Sequence, residues 1–320
     1  MLFLPFRLKY AYRKPVYATL AILLLVLGAY VLQMAGVAQA RRWGLMTGQG
    51  QVERLVTHAF LHGGLLHLIA NVCCFLVFAQ VVNAAVGSGL FLAACALSCF
   101  SSAALELWLD PRLGTLPGLG LSGVIAGLVV IGSLWIPKVK VTFFFWFILM
   151  FGFVDFPVWS VAGTWVITDL YRVSFTDWKE QGTAYWGHVG GFAGGWIAYL
   201  VLRRFRVVEL RGFLVAPYRS KRRLPGLRKL RARKVEGTGT PEEGAPPGAT
   251  CLRCGFTMLL KEPPGDKALR CPVCGQQSGA APPDDTGLRR RKIACGAVLG
   301  VLALALFGAC VLLMSRERGA

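Results

Sequence analysis

Gly120-Leu121-Ser122-Gly123, followed by the uncharged run 124–136, is the stretch on which the reading of this chain turns. Its counterpart is Gly187-His188-Val189-Gly190-Gly191, at the head of a second apolar segment. A serine and a histidine, each framed by glycines, therefore stand in two different hydrophobic stretches. Either motif alone is accounted for by helix packing or by a satisfied interior histidine. The pair calls for a chemical reason, and serine–histidine nucleophilic chemistry within a bilayer supplies one.

The surroundings support a membrane setting. Of 320 residues, 55% are hydrophobic and only 16% charged, and the mean hydropathy is +0.55. A bilayer-crossing helix needs about 20 apolar residues. Apolar runs of that order place spans at 15–40, 66–86, 90–107, 120–136, 184–202 and 293–314, with Gly87-Ser88-Gly89 dividing the second from the third. Residues 141–171 read as an interfacial segment at 141–154 and then a span at 155–171, because Asp155 and Pro157 sit poorly in mid-bilayer. Ala38-Gln39-Ala40 resembles a signal-peptidase site, but the run before it is longer than a signal peptide's apolar region, so an uncleaved anchor is expected. The expected fold is an all-α polytopic membrane protein: a six-helix core, a small zinc ribbon and a seventh transmembrane helix.

The net charge of +19 is read first as topology. With the N-terminus inside, 27 of the 35 Lys and Arg residues fall on the cytosolic side, the bias expected of cytosolic loops. The basic stretch 203–234 then lies near anionic lipid, and it has few of the interleaved aromatics that favour nucleic acid.

Helix rise sets the depth of the polar groups. Ser122 and His188 each lie 15 residues from the inner end of their spans, about 22 Å at ~1.5 Å per residue. In a core ~30 Å thick both fall roughly 8 Å below the outer surface. Asn71 reaches a similar depth, and His67 stands one turn from it on the same face. Gly187, Gly191 and Gly195 form a stripe of small residues that can pack against Gly120, Gly123 and Gly127 and bring the imidazole to the hydroxyl. His188 would serve as general base, Ser122 as nucleophile, and Asn71, His67 and the Ser122 amide as oxyanion donors. No acidic residue is expected at that level, so a dyad is expected rather than a triad.

At these residues the chain resembles the rhomboid family of intramembrane serine proteases. The matching stretches are Thr57-His58-Ala59-Phe60-Leu61-His62-Gly63, His67-Leu68-Ile69-Ala70-Asn71, Gly120-Leu121-Ser122-Gly123 and Tyr185-Trp186-Gly187-His188-Val189-Gly190-Gly191-Phe192. They span about residues 15–205 and hold all four histidines. The resemblance implies a six-helix core over 1–205 that cleaves transmembrane segments of other proteins, entering sideways, near the outer face, at small residues. Three positions depart from the pattern: Glu53-Arg54 where many relatives have Trp-Arg, Ala126 where some place a tyrosine stacked on the histidine, and Gly187 where Ala is frequent. None removes a reacting group. The alternative is a catalytically silent scaffold that binds transmembrane helices or recruits a partner.

Beyond the core come a basic and Pro/Gly-rich linker at 206–250, a cysteine module at 251–276, a second linker at 277–292 and the span 293–314. Cys251-Leu252-Arg253-Cys254 and Cys271-Pro272-Val273-Cys274 carry the Cys-x2-Cys spacing twice, a strong zinc-ribbon signal. Four thiolates close a tetrahedral Zn2+ site whose role is structural, since so short a segment cannot fold on apolar burial alone. Two disulfides compete with this reading, but a cytosolic placement disfavours them. Catalysis itself needs no cofactor. The expected partners are transmembrane protein substrates, membrane lipid and a cytosolic protein at the ribbon, with nucleic acid unlikely. The expected location is a bacterial plasma (inner) membrane, ribbon inside and C-terminus outside. The seventh span is expected to be a tether or partner helix outside the core.

Overall fold

The computed structural model describes residues 2–8, 16–48, 52–137, 139–147, 150–175, 183–205, 207, 248–250, 257–259 and 285–315. In chain order the elements are β1 (Leu2–Leu8), α1 (Tyr17–Met34), two single turns α2 (Ala40–Trp43) and α3 (Arg54–Thr57), α4 (Leu65–Val86), α5 (Ser88–Leu109), α6 (Ser122–Trp135), β2 (Lys140–Phe147), β3 (Met150–Pro157), α7 (Val158–Phe175), α8 (Tyr185–Phe205), the hairpin strands β4 (Gly248–Thr250) and β5 (Thr257–Leu259), and α9 (Asp285–Ser315). Tyr17–Met34, Leu65–Val86, Ser88–Leu109 and Gly287–Met314 are long and apolar enough to cross a membrane, and the chain is a multi-pass membrane protein.

Gly87, at φ +87°, reverses the chain between α4 and α5 in one residue, a backbone conformation that favours glycine. Polar groups in the interior find partners across helices: Asn83 Nδ2 donates to Thr19 Oγ1 at 3.0 Å, and Ser88 Oγ donates to Asn83 Oδ1 at 3.2 Å.

Helix α8 is wedged between α5 and α6. A Cβ on Gly191 would overlap the backbone carbonyl of Gly123, and one on Gly195 would overlap that of Gly127. The other edge of α8 meets α5, where a Cβ on Gly194 would stand 2.9 Å from Ser98 Cα and one on Gly190 would collide with Ser101 O. The glycine stripe thus packs against two helices rather than one. Ser98, Ser101 and Ser102, spaced three and four residues apart, supply the small surface on α5.

The expectation of an all-α chain is corrected by a three-stranded antiparallel sheet in the order β1-β2-β3. Residues 140–157 form a hairpin, with Phe144 opposite Phe153 and Thr142 opposite Asp155, so the segment expected to be interfacial, 141–154, is paired strand, and the helix expected from 155 begins at Val158. Val-Thr-Phe-Phe-Phe-Trp is β-branched and aromatic, the composition that suits a pleated surface. Hydropathy alone does not separate such a run from a helix. Pairing with β1 at the far N-terminus completes the sheet, a contact between segments some 140 residues apart.

Helix α9 also departs from expectation. It begins at Asp285, so the basic run Arg289–Lys292 is helical rather than linker. It packs along α5, with the Phe100 and Phe307 rings 5.4 Å apart and Cys310 Sγ donating to Phe100 O at 3.3 Å. Its last turns bury Cys310 and Met314 in a cluster with Leu45, Leu55, Leu107 and Leu113. A helix so placed is part of the packed bundle and not a detached tether. The six span cysteines at 73, 74, 95, 99, 295 and 310 are free thiols.

Candidate active site

Helix α6 starts at Ser122 itself, so the amides of its first turn have no intrahelical partner. Its 14 residues span about 21 Å, less than a ~30 Å bilayer core, which sets the helix start below one surface of the bundle. The approach to it is pinned from the first loop. Leu45 and Gly118 exchange both backbone hydrogen bonds, at 3.0 and 2.8 Å, and Gly120 N donates to His58 O at 2.9 Å. Gly120 holds φ +118°, and a Cβ there would stand 3.0 Å from the Nε2 and Cε1 atoms of His67 and 3.8 Å from Ser122 Oγ. Glycine at this position satisfies the backbone conformation and makes room for the His67 ring beside the serine.

A cavity of about 740 Å³ opens at this end of the bundle, and Ser122, His188, His67, Asn71, Glu106 and Trp165 all line it. The structure thus gathers residues from α4, α5, α6, α7 and α8 around one space. No hydrogen bond joins Ser122 Oγ to His188 among the described residues. Catalytic hydrogen bonds often shorten only when substrate is bound.

His188 is buried, at 7% exposure, and its Nδ1 lies 2.8 Å from Asp169 Oδ2. With Nδ1–H donating to the carboxylate, Nε2 is left as an acceptor. Asp169 is itself only 3% exposed. The expectation that no acidic residue stands at this level is therefore corrected. Trp165, one turn away on the same face of α7, meets the imidazole edge-on at 5.4 Å, and the Tyr185 ring approaches it at 6.2 Å. These two rings flank the histidine in a chain where Ala126 offers no aromatic face. Neither Asp169 nor Trp165 was singled out in the sequence, because their approach to a histidine on the next helix is a tertiary contact.

Asn71 is 6% exposed; its Nδ2 donates to His67 O at 3.0 Å, and its Oδ1 has no hydrogen-bond partner among the described residues. One N–H of this amide remains for a group in the cavity. His67 Nδ1 accepts from Gly63 N at 3.3 Å. Glu106, 3% exposed, fills the space that Gly118 and Gly187 leave by having no side chains. At the mouth, Arg112 is held by Asp110 through a two-pronged ion pair and donates to Thr183 O at 2.9 Å, tying the loop after α5 to the chain entering α8. Asp110 raises the Arg112 pKa by hydrogen bonding.

The remaining histidines, His58 and His62, do not line the cavity. His58, 4% exposed, bonds Arg54 O through Nδ1 at 2.8 Å, and burial pushes its pKa down to about 4. His62 is fully buried and also lowered to about 4 by burial, with its backbone amide donating to Gln33 Oε1 at 3.1 Å. Of the glycines expected around the site, Gly120 admits His67, Gly191 and Gly195 meet α6, Gly123 faces Ser102 and Gly187, and Gly187 makes room for Glu106. Cys251, Cys254, Cys271 and Cys274 lie outside the described residues. Among the described residues no cluster of His, Cys, Asp or Glu could hold a metal.

No curated protein matches the chain. Residues 49–205 match the family model described as Rhomboid domain, and this match, over the stretch that carries every residue lining the cavity, supports placing the chain in the rhomboid family.

Proposed function

We propose that the chain is an intramembrane serine endopeptidase acting on transmembrane segments of other proteins. Ser122 Oγ gives its proton to His188 Nε2 and attacks the peptide carbonyl carbon. The resulting oxyanion takes hydrogen bonds from the Ser122 amide, the free Asn71 N–H and His67. The C–N bond then breaks as His188 returns the proton to the leaving amine. Water, deprotonated by His188, hydrolyses the acyl ester and restores Ser122. Asp169 holds the imidazole in the tautomer that accepts the serine proton and offsets the positive charge that develops on it.

The observation that carries this reading is the Asp169–His188 hydrogen bond, 2.8 Å long and buried, beside a cavity that Ser122 also lines. A rhomboid domain matches the same residues, and members of that family are typically serine proteases. The test is labelling with a fluorophosphonate serine probe in detergent, wild type beside Ser122→Ala and His188→Ala. Labelling confined to the wild type supports an activated Ser122. A well-folded wild type that neither labels nor cleaves a reconstituted transmembrane substrate favours a silent helix-binding scaffold on the same core.

For the region after the core we propose a structural Zn2+ held by Cys251, Cys254, Cys271 and Cys274, as a docking module for a cytosolic protein. The Cys-x2-Cys spacing supports it. So does the β4–β5 hairpin, in which Thr250 pairs with Thr257 and the first cysteine pair falls in the connection. Metal analysis of the purified chain tests it: one zinc per chain is expected, and none in Cys251→Ser/Cys254→Ser. We further propose a bacterial plasma membrane, in keeping with the short loops and compact core, with the N-terminus and ribbon cytosolic, an orientation supported by the distribution of Lys and Arg.

A further inference from the structure

The two faces of the β1-β2-β3 sheet differ. On one face Val141 and Phe143 are buried, and Leu8 and Val154 pack into the helical core. β1 lies against α4, whose final turns from Val77 to Val86 are buried except at Gln80. The sheet therefore flanks the end of α4, and its second face is directed away from the bundle. A bulge between Pro5 and Arg7 brings Phe6 onto that second face, where its ring meets Phe153 at 5.3 Å; Phe144 meets Phe153 from the neighbouring strand at 5.6 Å.

This outward face is aromatic and exposed. Phe6 is 60% exposed, Trp146 53%, Phe151 73% and Phe153 61%. The polar pair on it, Thr142 and Asp155, is joined by a 2.9 Å hydrogen bond in the row nearest the helices, beside exposed Arg7. Aromatic rings are stabilised by leaving water, so a contiguous exposed cluster of them calls for a cover.

We infer that this face is a lipid-binding surface, seated in the headgroup and upper acyl region of the leaflet opposite the cavity. Continuity names the occupant. β2 follows the end of α6 and β3 leads straight into α7, with Val158 N donating to Val139 O at 2.8 Å, whereas the cavity lies at the start of α6 and α8. Tyr17 and Trp159, at the first turns of α1 and α7, are 72% and 59% exposed. Aromatic residues at helix ends mark the membrane–water interface, and the sheet extends that belt sideways. Arg7, at the edge of the aromatic rows, suits a lipid phosphate. The aromatic face acts as an amphipathic interfacial helix does, burying one side at the acyl boundary, but in β form.

Photocrosslinking of the full chain tests the inference. p-Benzoylphenylalanine, close to Phe in shape, replaces Phe151 or Phe153 in host membranes, with Ile167 of α7 (69% exposed) and Leu116 in the loop before α6 (56% exposed) as comparison positions. Phospholipid adducts on peptides carrying position 151 or 153, in yield comparable with Ile167, are the expected result. Adducts to a protein instead of lipid would make the face a protein-docking surface and overturn the inference. Loss of lipid adducts at 151 and 153, with Ile167 still labelled, would place the face in water and overturn it as well.

Discussion

The carboxylate of Asp169 lies 2.8 Å from Nδ1 of His188, with both side chains buried. α7 contributes the acid and α8 the base, so the pair depends on how these helices meet as well as on either sequence. In the proposed mechanism Asp169 never touches substrate; it fixes which nitrogen of the imidazole accepts the serine proton. Asp169→Asn keeps the shape but can impose the wrong tautomer. The expected outcome is a fall in kcat of roughly 10²- to 10⁴-fold with KM little changed, measured on a transmembrane substrate in proteoliposomes. Unchanged kcat would leave His188 positioned by Trp165 and Tyr185 alone.

Helix α8 offers a sharper test of packing. Gly191→Ala places a methyl against the Gly123 carbonyl, and Gly195→Ala does so against Gly127. Backbone cannot yield as a side-chain tip does, so each should destabilise by about 1–3 kcal/mol. Gly163→Ala on α7, where a Cβ would meet nothing within 4 Å, should be neutral or stabilising by up to about 1 kcal/mol. Thermal unfolding in detergent distinguishes the three.

These two relationships show what was legible in the chain. The glycine stripe declared itself by its spacing, because a four-residue period places residues on one helix face whatever the rest of the fold does. Asp169 did not: it falls within the expected span 155–171, but hydropathy does not say which neighbouring helix a side chain near a span's end will face. In the structure α7 runs from Val158 to Phe175 and turns Asp169 toward His188 on α8. The β1-β2-β3 sheet was hidden for a different reason. Its apolar residues read as membrane sequence, and its first strand comes from the opposite end of the core. The packing of α9 on α5 is equally non-local, and the long linker before α9 pointed the wrong way.

Burial of His58 and His62 makes the fold acid-sensitive. Their pKa values, lowered to about 4 from an ordinary 6.5, mean that the unfolded chain takes up protons first as pH falls. Their contribution is present above pH 6.5 and is lost progressively toward pH 4. For His58 alone the loss by pH 4 is about 3 kcal/mol. The melting temperature of the wild type should fall across this window. His58→Gln, which keeps a donor for Arg54 O, should flatten the fall. An unchanged slope in that variant would assign the acid sensitivity elsewhere.

The last turns of α9 reach the site through two loops. Met314 O accepts from Gly48 N at 3.1 Å, and Cys310 and Met314 pack on Leu45 and Leu113. Leu45 in turn bridges Gly118, two residues before the glycine that positions His67 and Ser122. Cys310→Trp overfills this buried cluster, at a cost of about 1–3 kcal/mol. Hydrogen exchange should then rise over residues 45–55 and 113–120, far along the sequence from position 310, and turnover should slow although no cavity residue has changed. If exchange rises only within α9, the helix is anchored to α5 without bracing the loops around Ser122.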